Sequence, residues 1–226
     1  MTTHRPPITA QPQPAYPRRL ETRSFRVVRA DSVADRALIT HLRLQGIFRS
    51  LRHLGPRVIE WIDVADRSGS SAFVFIAFDA RGRPAGTVRL QDSRVQALEL
   101  HRYVDLRLVL QDADHPAAQL SRLAVLRGPQ STAVIAALFK AAWTWCLAEG
   151  LCTLVTAVPR RSRRLYEFLL FRDAGEAGVF RHAFTGNLQH VTMCLAVQQL
   201  LASMAEQQHP LHEEFAEVAE QLGLNN

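Results

Sequence analysis

Between Phe73 and Phe78 the chain passes through six apolar side chains without a polar break, and the next six residues are Asp79-Ala80-Arg81-Gly82-Arg83-Pro84. A strand this apolar has to be covered on both faces, because any water-facing side would expose large aromatic and branched groups. The Asp, Gly and Pro that follow are turn formers, so Ala85 to Leu90 reads as the returning strand of a hairpin. The chain must therefore supply covering elements for both faces of a sheet built around this hairpin.

Those elements can be read on either side of it. Phe25 to Arg29 alternates like a strand, and Asp31 or Ser32 can cap a helix running toward Leu54, which Gly55-Pro56 ends. Residues 92 to 117 are irregular and polar, with apolar clusters at Leu98, Leu100, Val104, Leu106 and Leu108, and are expected to form a mobile cover over one end of the sheet. Leu120 to Leu126 is a strand candidate. Beyond Gly128-Pro129, Ser131 or Thr132 can cap a long helix through Trp143, Trp145 and Cys146, apolar on most faces and stopping at Glu149-Gly150. Leu151 to Val158 is β-branched, Ser162 to Phe171 reads as a short helix, and Gly178 to Phe184 with His190 to Val197 as a closing strand pair. A polar helical tail, broken at Pro210, ends the chain.

This order predicts an α/β (α+β) fold, a mixed central sheet with helices on both faces. The expected organisation is a disordered Pro-rich arm over 1–24, one domain over 25–197 and a C-terminal helical tail over 198–226. The arm carries Pro6, Pro7, Pro12, Pro14 and Pro17 among polar residues, too little apolar area to offset the entropy of ordering.

Composition narrows the function classes. The three cysteines, Cys146, Cys152 and Cys194, form no CxxC pair, which speaks against a disulfide framework or a thiolate zinc site. The scattered histidines, His209 and His212 included, are expected to be exposed and to bind no metal. No secretory signal or membrane span is read, so a cytoplasmic location is expected. Net charge is +6 with pI near 10.0, almost wholly from arginine since Lys140 is the single lysine, and this favours an acidic partner. No GxGxxG follows a strand and no Walker-type lysine exists, which excludes the common nucleotide-binding motifs. Helix-turn-helix, RRM and zinc-finger signatures are absent, so nucleic acid is not the expected partner.

Four short motifs in one order carry a resemblance. Phe73 to Leu90, closing on Gly86-Thr87-Val88-Arg89-Leu90, is similar to the hairpin of the acyl-homoserine-lactone (autoinducer) synthases and the related N-acyl amino acid synthases. Gln119-Leu120-Ser121-Arg122-Leu123-Ala124-Val125 resembles their Glu-x-Ser-Arg motif, and Asp63-Val64-Ala65-Asp66 their paired acidic residues. Leu165 to Gly175 looks like the helix-to-strand segment common to the GNAT superfamily. The matches span Arg57 to about Gly175.

The resemblance implies a GNAT-type fold and transfer of a fatty acyl group from a thioester to a small amine, with no permanently bound cofactor. It places Arg89, Gln119, Ser121 and Arg122 in the catalytic set and Asp63, Asp66 and Trp61 at the substrate. Arg89 and Arg122 would lie at the ends of neighbouring strands, where a guanidinium fork can hold a carboxylate, or brace the sheet against Asp63 and Asp66. Gln119 departs from the family's Glu, and an amide cannot take a proton at neutral pH. Glu99, Glu60 and His101 are possible bases, each also readable as a solvated surface residue. Ser121 has no histidine at nucleophile-elbow spacing, so it reads as a structural or orienting hydroxyl.

The run Arg127-Gly128-Pro129-Gln130-Ser131-Thr132 keeps one arginine of the family's pyrophosphate loop without its later glycines. An acyl carrier protein is therefore the expected donor, with acyl-CoA as the other possibility. Arg160, Arg161, Arg163 and Arg164 would dock the acidic carrier. A CoA-dependent N-acetyltransferase and a catalytically inactive acyl-binding module are the competing readings. Acyl length, amine and oligomeric state are not encoded in these motifs.

Overall fold

The computed structural model describes residues 19–21, 24–30, 32–47, 72–221 and 223. Its strands are β1 (Arg19–Glu21), β2 (Phe25–Arg29), β3 (Phe73–Asp79), β4 (Pro84–Asp92), β5 (Ala117–Val125), β6 (Thr153–Pro159), β7 (Arg172–Asp173), β8 (Val179–His182) and β9 (Leu188–Ala196). The helices are α1 (Val33–Ile47), α2 (Ser131–Ala148), α3 (Arg163–Phe168), α4 (Leu200–Glu206) and α5 (His212–Gln221). The sheet runs β1-β2-β3-β4-β5-β6-β9-β7, with β8 paired to β9. Neighbours are antiparallel except β5 and β6, which are parallel.

The hairpin forms where the sequence predicts it. Asp79 closes the turn, its carboxylate accepting from the backbone N–H groups of Arg81 and Arg83 at 2.9 Å each, while Gly82 takes the left-handed conformation at φ 73°. Phe75, Ile76 and Ala77 are wholly buried. One face carries Phe75, Val88, Leu90 and Leu120 into the main core against α2, where Trp143 and Trp145 are each 1% exposed. Burying an aromatic of this size contributes about 1.5–3 kcal/mol, so α2 is a principal source of the fold's stability. Gly86 permits the approach: a Cβ there would lie 2.9 Å from a Val134 methyl and 3.0 Å from the Ala124 carbonyl oxygen. The helix is long and apolar enough to cross a membrane, but 67% of it is buried inside the fold, as a core helix would be.

The opposite face is covered by α1 and by residues 93–116. Ser32 and Asp35 cap α1 reciprocally, each side chain accepting from the other's backbone N–H at 3.1 and 2.9 Å. The helix is described to Ile47, and its expected continuation to Leu54 lies outside the described residues. Residues 93–116 form a cover of short 3-10 turns with its own small core of Leu98, Leu100, Val104, Leu106 and Leu110 against Ala117 and Val155. Leu108, expected in that core, is instead 71% exposed.

Four further expectations shift. Ser131 does not cap α2; its hydroxyl accepts from the Gly128 N–H at 2.9 Å and donates to backbone carbonyls, closing the turn before the helix. The Arg19–Glu21 segment, expected within the arm, pairs with β2; residues 1–18 lie outside the described residues. The short helix ends at Phe168, and Arg172–Asp173 joins β9 as a strand. The tail is broken at Pro210 as expected, yet Phe215, Val218 and Ala219 of α5 are buried against α2.

Candidate active site

β5 and β6 pair from Ala117 with Thr153 to Leu120 with Thr156, and there the pairing ends, although β5 continues to Val125 and β6 to Pro159. Beyond Leu120 the β6-facing edge of β5 has no strand partner among the described residues, so its backbone amides there stand outside the ladder. At the same point β5 carries a bulge. Arg89 pairs with Ser121 and Thr87 with Ala124, so Val88 alone opposes Arg122 and Leu123. Arg122 absorbs the extra residue at φ 52°, a left-handed conformation that is costly for a residue with a Cβ.

Arg89 and Arg122 lie on neighbouring strands and face the same side, at mid-strand rather than at strand ends. They are 2% and 7% exposed. Both reach one carboxylate: Arg89 Nη1 donates to Glu99 Oε2 at 2.8 Å and Arg122 Nη2 to the same oxygen at 3.0 Å. Glu99, whose side chain is 14% exposed, is thus a partner of the arginine pair and not a solvated surface residue. Glu99 supplies a bracing carboxylate among the described residues; Asp63 and Asp66, from which one was expected, lie outside them, as do Trp61 and Glu60. His101 is exposed.

Gln119 explains how Glu99 is held. Its side-chain oxygen accepts from the Leu100 backbone N–H at 2.8 Å, fixing the turn Glu99–Arg102 against β5. It is a fastener rather than a proton acceptor. The buried Ser121 hydroxyl oxygen has no hydrogen-bond partner among the described residues.

The sequence reading missed Arg43. It is wholly buried on α1 beside the same cluster, and burial, reinforced by the Arg122 and Arg89 charges, pulls its guanidinium down to about 9. Arg89 is pulled to about 10 for the same first reason, with Arg122 next. All remain cationic at neutral pH. The available signal was spacing: Ile39 and Leu42 define the buried stripe of α1, and Arg43 falls on it.

A second group sits on β8 and β9, on the β6 side of the split. Tyr103, from the turn that carries Glu99, stacks on Phe180 at 5.1 Å and on His182 at 4.6 Å, and His182 lies 5.0 Å from His190. His190 is placed on β9 opposite Pro159, beyond the end of the β5–β6 ladder. Its Nδ1 lies 2.9 Å from the Leu188 carbonyl oxygen, which can only accept, so Nδ1 carries the hydrogen and Nε2 the lone pair. Burial first, and then the neighbouring His190, lowers His182 to about 4, leaving it neutral at physiological pH. Neither histidine was singled out from sequence, although Phe180 and His182 alternate onto one face of β8.

The remaining predicted residues sit apart from this centre. Arg160, Arg161 and Arg164 are exposed, while Arg163 pairs with Glu167 at 2.7 Å and Asp173 at 2.9 Å. His209 is not free: its Nε2 bonds the Phe168 carbonyl at 2.7 Å. An apolar groove of about 400 Å³ runs over the outer face of α2, lined by Phe25, Thr132, Ile135, Leu165, Phe168 and Leu211, and touches neither arginine. No group of three metal-ligating side chains is present among the described residues.

No protein-family model matches the sequence, and no curated protein matches it. Solved structures do match. FeeM, an N-acyl amino acid synthase from uncultured soil microbes, superposes with a TM-score of 0.62 at 16% identity, covering 84% of this chain and 96% of its own. Ribosomal-protein-S5-alanine acetyltransferase from Vibrio fischeri gives 0.51 at 16% identity, over 79% and 96%. Spermidine/spermine N-acetyltransferase SpeG from Vibrio cholerae gives 0.50 at 13% identity, over 80% and 96%. The shared property is the fold, which is of the GNAT type.

Proposed function

We propose that this chain is an N-acyltransferase that moves a fatty acyl group from a carrier-protein thioester, or from acyl-CoA, to the amine of an amino acid or similar small acceptor. The observation that carries the reading is the split between β5 and β6 beside a braced arginine pair. A thioester lying in the split meets β5 amides that no longer pair with β6, and such donors stabilise the oxyanion formed when an amine attacks. The buried cations Arg43, Arg89 and Arg122 around Glu99 set a positive field on that face, which favours an acceptor bearing a carboxylate. With so little exposure, Arg89 and Arg122 act chiefly by holding the site's shape. Asp63 and Asp66 are proposed to complete the acceptor side, and Trp61 to help line the path of the acyl chain. The likeness to FeeM supports the choice of an N-acyl amino acid as product.

The donor is assigned to a carrier protein on charge. Arg160, Arg161 and Arg164 form an exposed basic ridge at the end of β6, where a strongly acidic partner can dock and deliver its thioester to the split. A second reading, a CoA-dependent N-acetyltransferase, is favoured by exposed Arg127 just before the N-terminus of α2, where helix amides attract phosphate. Incubating the purified protein with acyl carrier protein or CoA thioesters of several chain lengths and a panel of amino acids, followed by mass spectrometry, tests both. N-acyl amino acid from the carrier donor is expected. Product from acetyl-CoA alone selects the second reading, and no product from any donor points to an inactive acyl-binding module.

A further inference from the structure

Gln119 is spent on the Leu100 amide and Glu99 on two arginines, so the carboxyl-type base suggested by the resemblance has no counterpart in the described part of the site. The rings across the split offer another proton acceptor. Tyr103 ties β8, and through His190 β9, to the turn that carries Glu99, and His182 lies close enough to Glu99 to feel its charge, so the cluster sits beside the carboxylate that Arg122 holds. Within it His190 is 4% exposed, whereas His182 is half-buried, its Nδ1 covered, which leaves Nε2 as the ring nitrogen for a substrate.

We propose that His182 is the catalytic base of the acyl transfer assigned to this split, with His190 as a positioning residue behind it; the inference rests on that assignment. The amine nitrogen forms the C–N bond to the thioester carbonyl, whose π electrons move to oxygen. A ring nitrogen of His182 takes one N–H proton from the adduct. Collapse restores the carbonyl and breaks the C–S bond, and the imidazolium returns the proton to the departing sulfur, so amide and thiol form with no other reactant.

The surroundings suit this traffic. His182 faces Tyr103 and Glu99 from the cover, Phe180 on its own strand and His190 from β9; Arg122 bears on Tyr103, and Arg161 on His190. Burial first, and then the cost of placing a second positive charge beside His190, keep His182 unprotonated, while Glu99 favours its charged form once a proton arrives. The ring can therefore accept a proton during the adduct's lifetime and release it readily.

The test uses the full chain with the donor and acceptor that give most product. His182→Gln is expected to lower kcat by about 100-fold or more, the usual size of a lost general base, with KM little changed. Added imidazole should restore part of the activity of His182→Ala, an effect that a purely structural role would not give. A loss under about 3-fold in His182→Gln, or a loss that imidazole does not relieve, overturns the inference while leaving acyl transfer intact. A wild-type chain that makes no product overturns both. Independently of folding defects in variants, the His182 ring in the wild type should titrate below free imidazole by NMR; a ring that is still protonated at the pH of greatest activity overturns the proposal.

Discussion

Glu99 is the residue on which the arginine pair turns. Removing its charge leaves Arg89 and Arg122 facing a neutral amide in a site where both are almost fully buried, so Glu99→Gln is expected to cost about 3 kcal/mol, measurable as a lower urea midpoint. Acyl transfer should fall with it, since the β5 bulge is held by Arg122. His182 makes a separate signature. Its folded value, about 4, lies below the ordinary 6.5, so the folded protein binds fewer protons. Its stabilising contribution is complete above pH 6.5 and is lost as pH falls toward 4. His182→Phe should flatten this part of the stability profile relative to wild type in denaturant titrations at pH 7 and 4.5. Arg89 and Arg122 were legible because they sit in motifs on predictable strands. Glu99 could be named as a possible base, but its place between the two arginines could not be read, because it depends on one tertiary bond from Gln119 to a turn with no periodic pattern around it.

Among the elements, α2 and the hairpin were legible because apolar density and turn chemistry act over a few neighbouring residues. The tail was read as merely polar because its buried residues, Leu200 and Met204 of α4 and Phe215, Val218 and Ala219 of α5, are spread thinly among Glu and Gln. What docks it is the chain's single lysine. Lys140 is 3% exposed on α2 and bonds the Glu214 carboxylate at 3.1 Å and the Glu214 carbonyl at 3.3 Å, with the Phe215 ring 5.8 Å away. The two partners are not equivalent, since Glu214 is 34% exposed and can return to water. Glu214→Ala strands a buried ammonium and should destabilise by about 2–3 kcal/mol, whereas Lys140→Met, which fills the space with an apolar chain, should cost about 1 kcal/mol or less. Chemical denaturation of both variants checks the order. Equal losses would mean that the tail docks through Phe215 alone.

On the scale of the whole molecule, charge is sorted by depth. Arg43, Arg89 and Arg122 are buried around Glu99, where salt cannot screen them, while Arg160, Arg161 and Arg164 stand exposed at the far end of β6. The first group acts on whatever occupies the split and the second on whatever delivers it. These roles separate experimentally through ionic strength. With a carrier-protein donor, kcat/KM should fall as salt rises through the physiological range, because exposed charges steer encounter over roughly one Debye length of about 8 Å. Arg160→Glu combined with Arg164→Glu should lower that kcat/KM by about 10-fold at low salt, converging on wild type at high salt. Neither residue pairs with an acidic group among the described residues, so folding stability should hardly change. A small CoA thioester, which does not need the ridge for docking, should show little of either effect. Equal losses for both donors would place the ridge at the thioester itself and return the donor assignment to CoA.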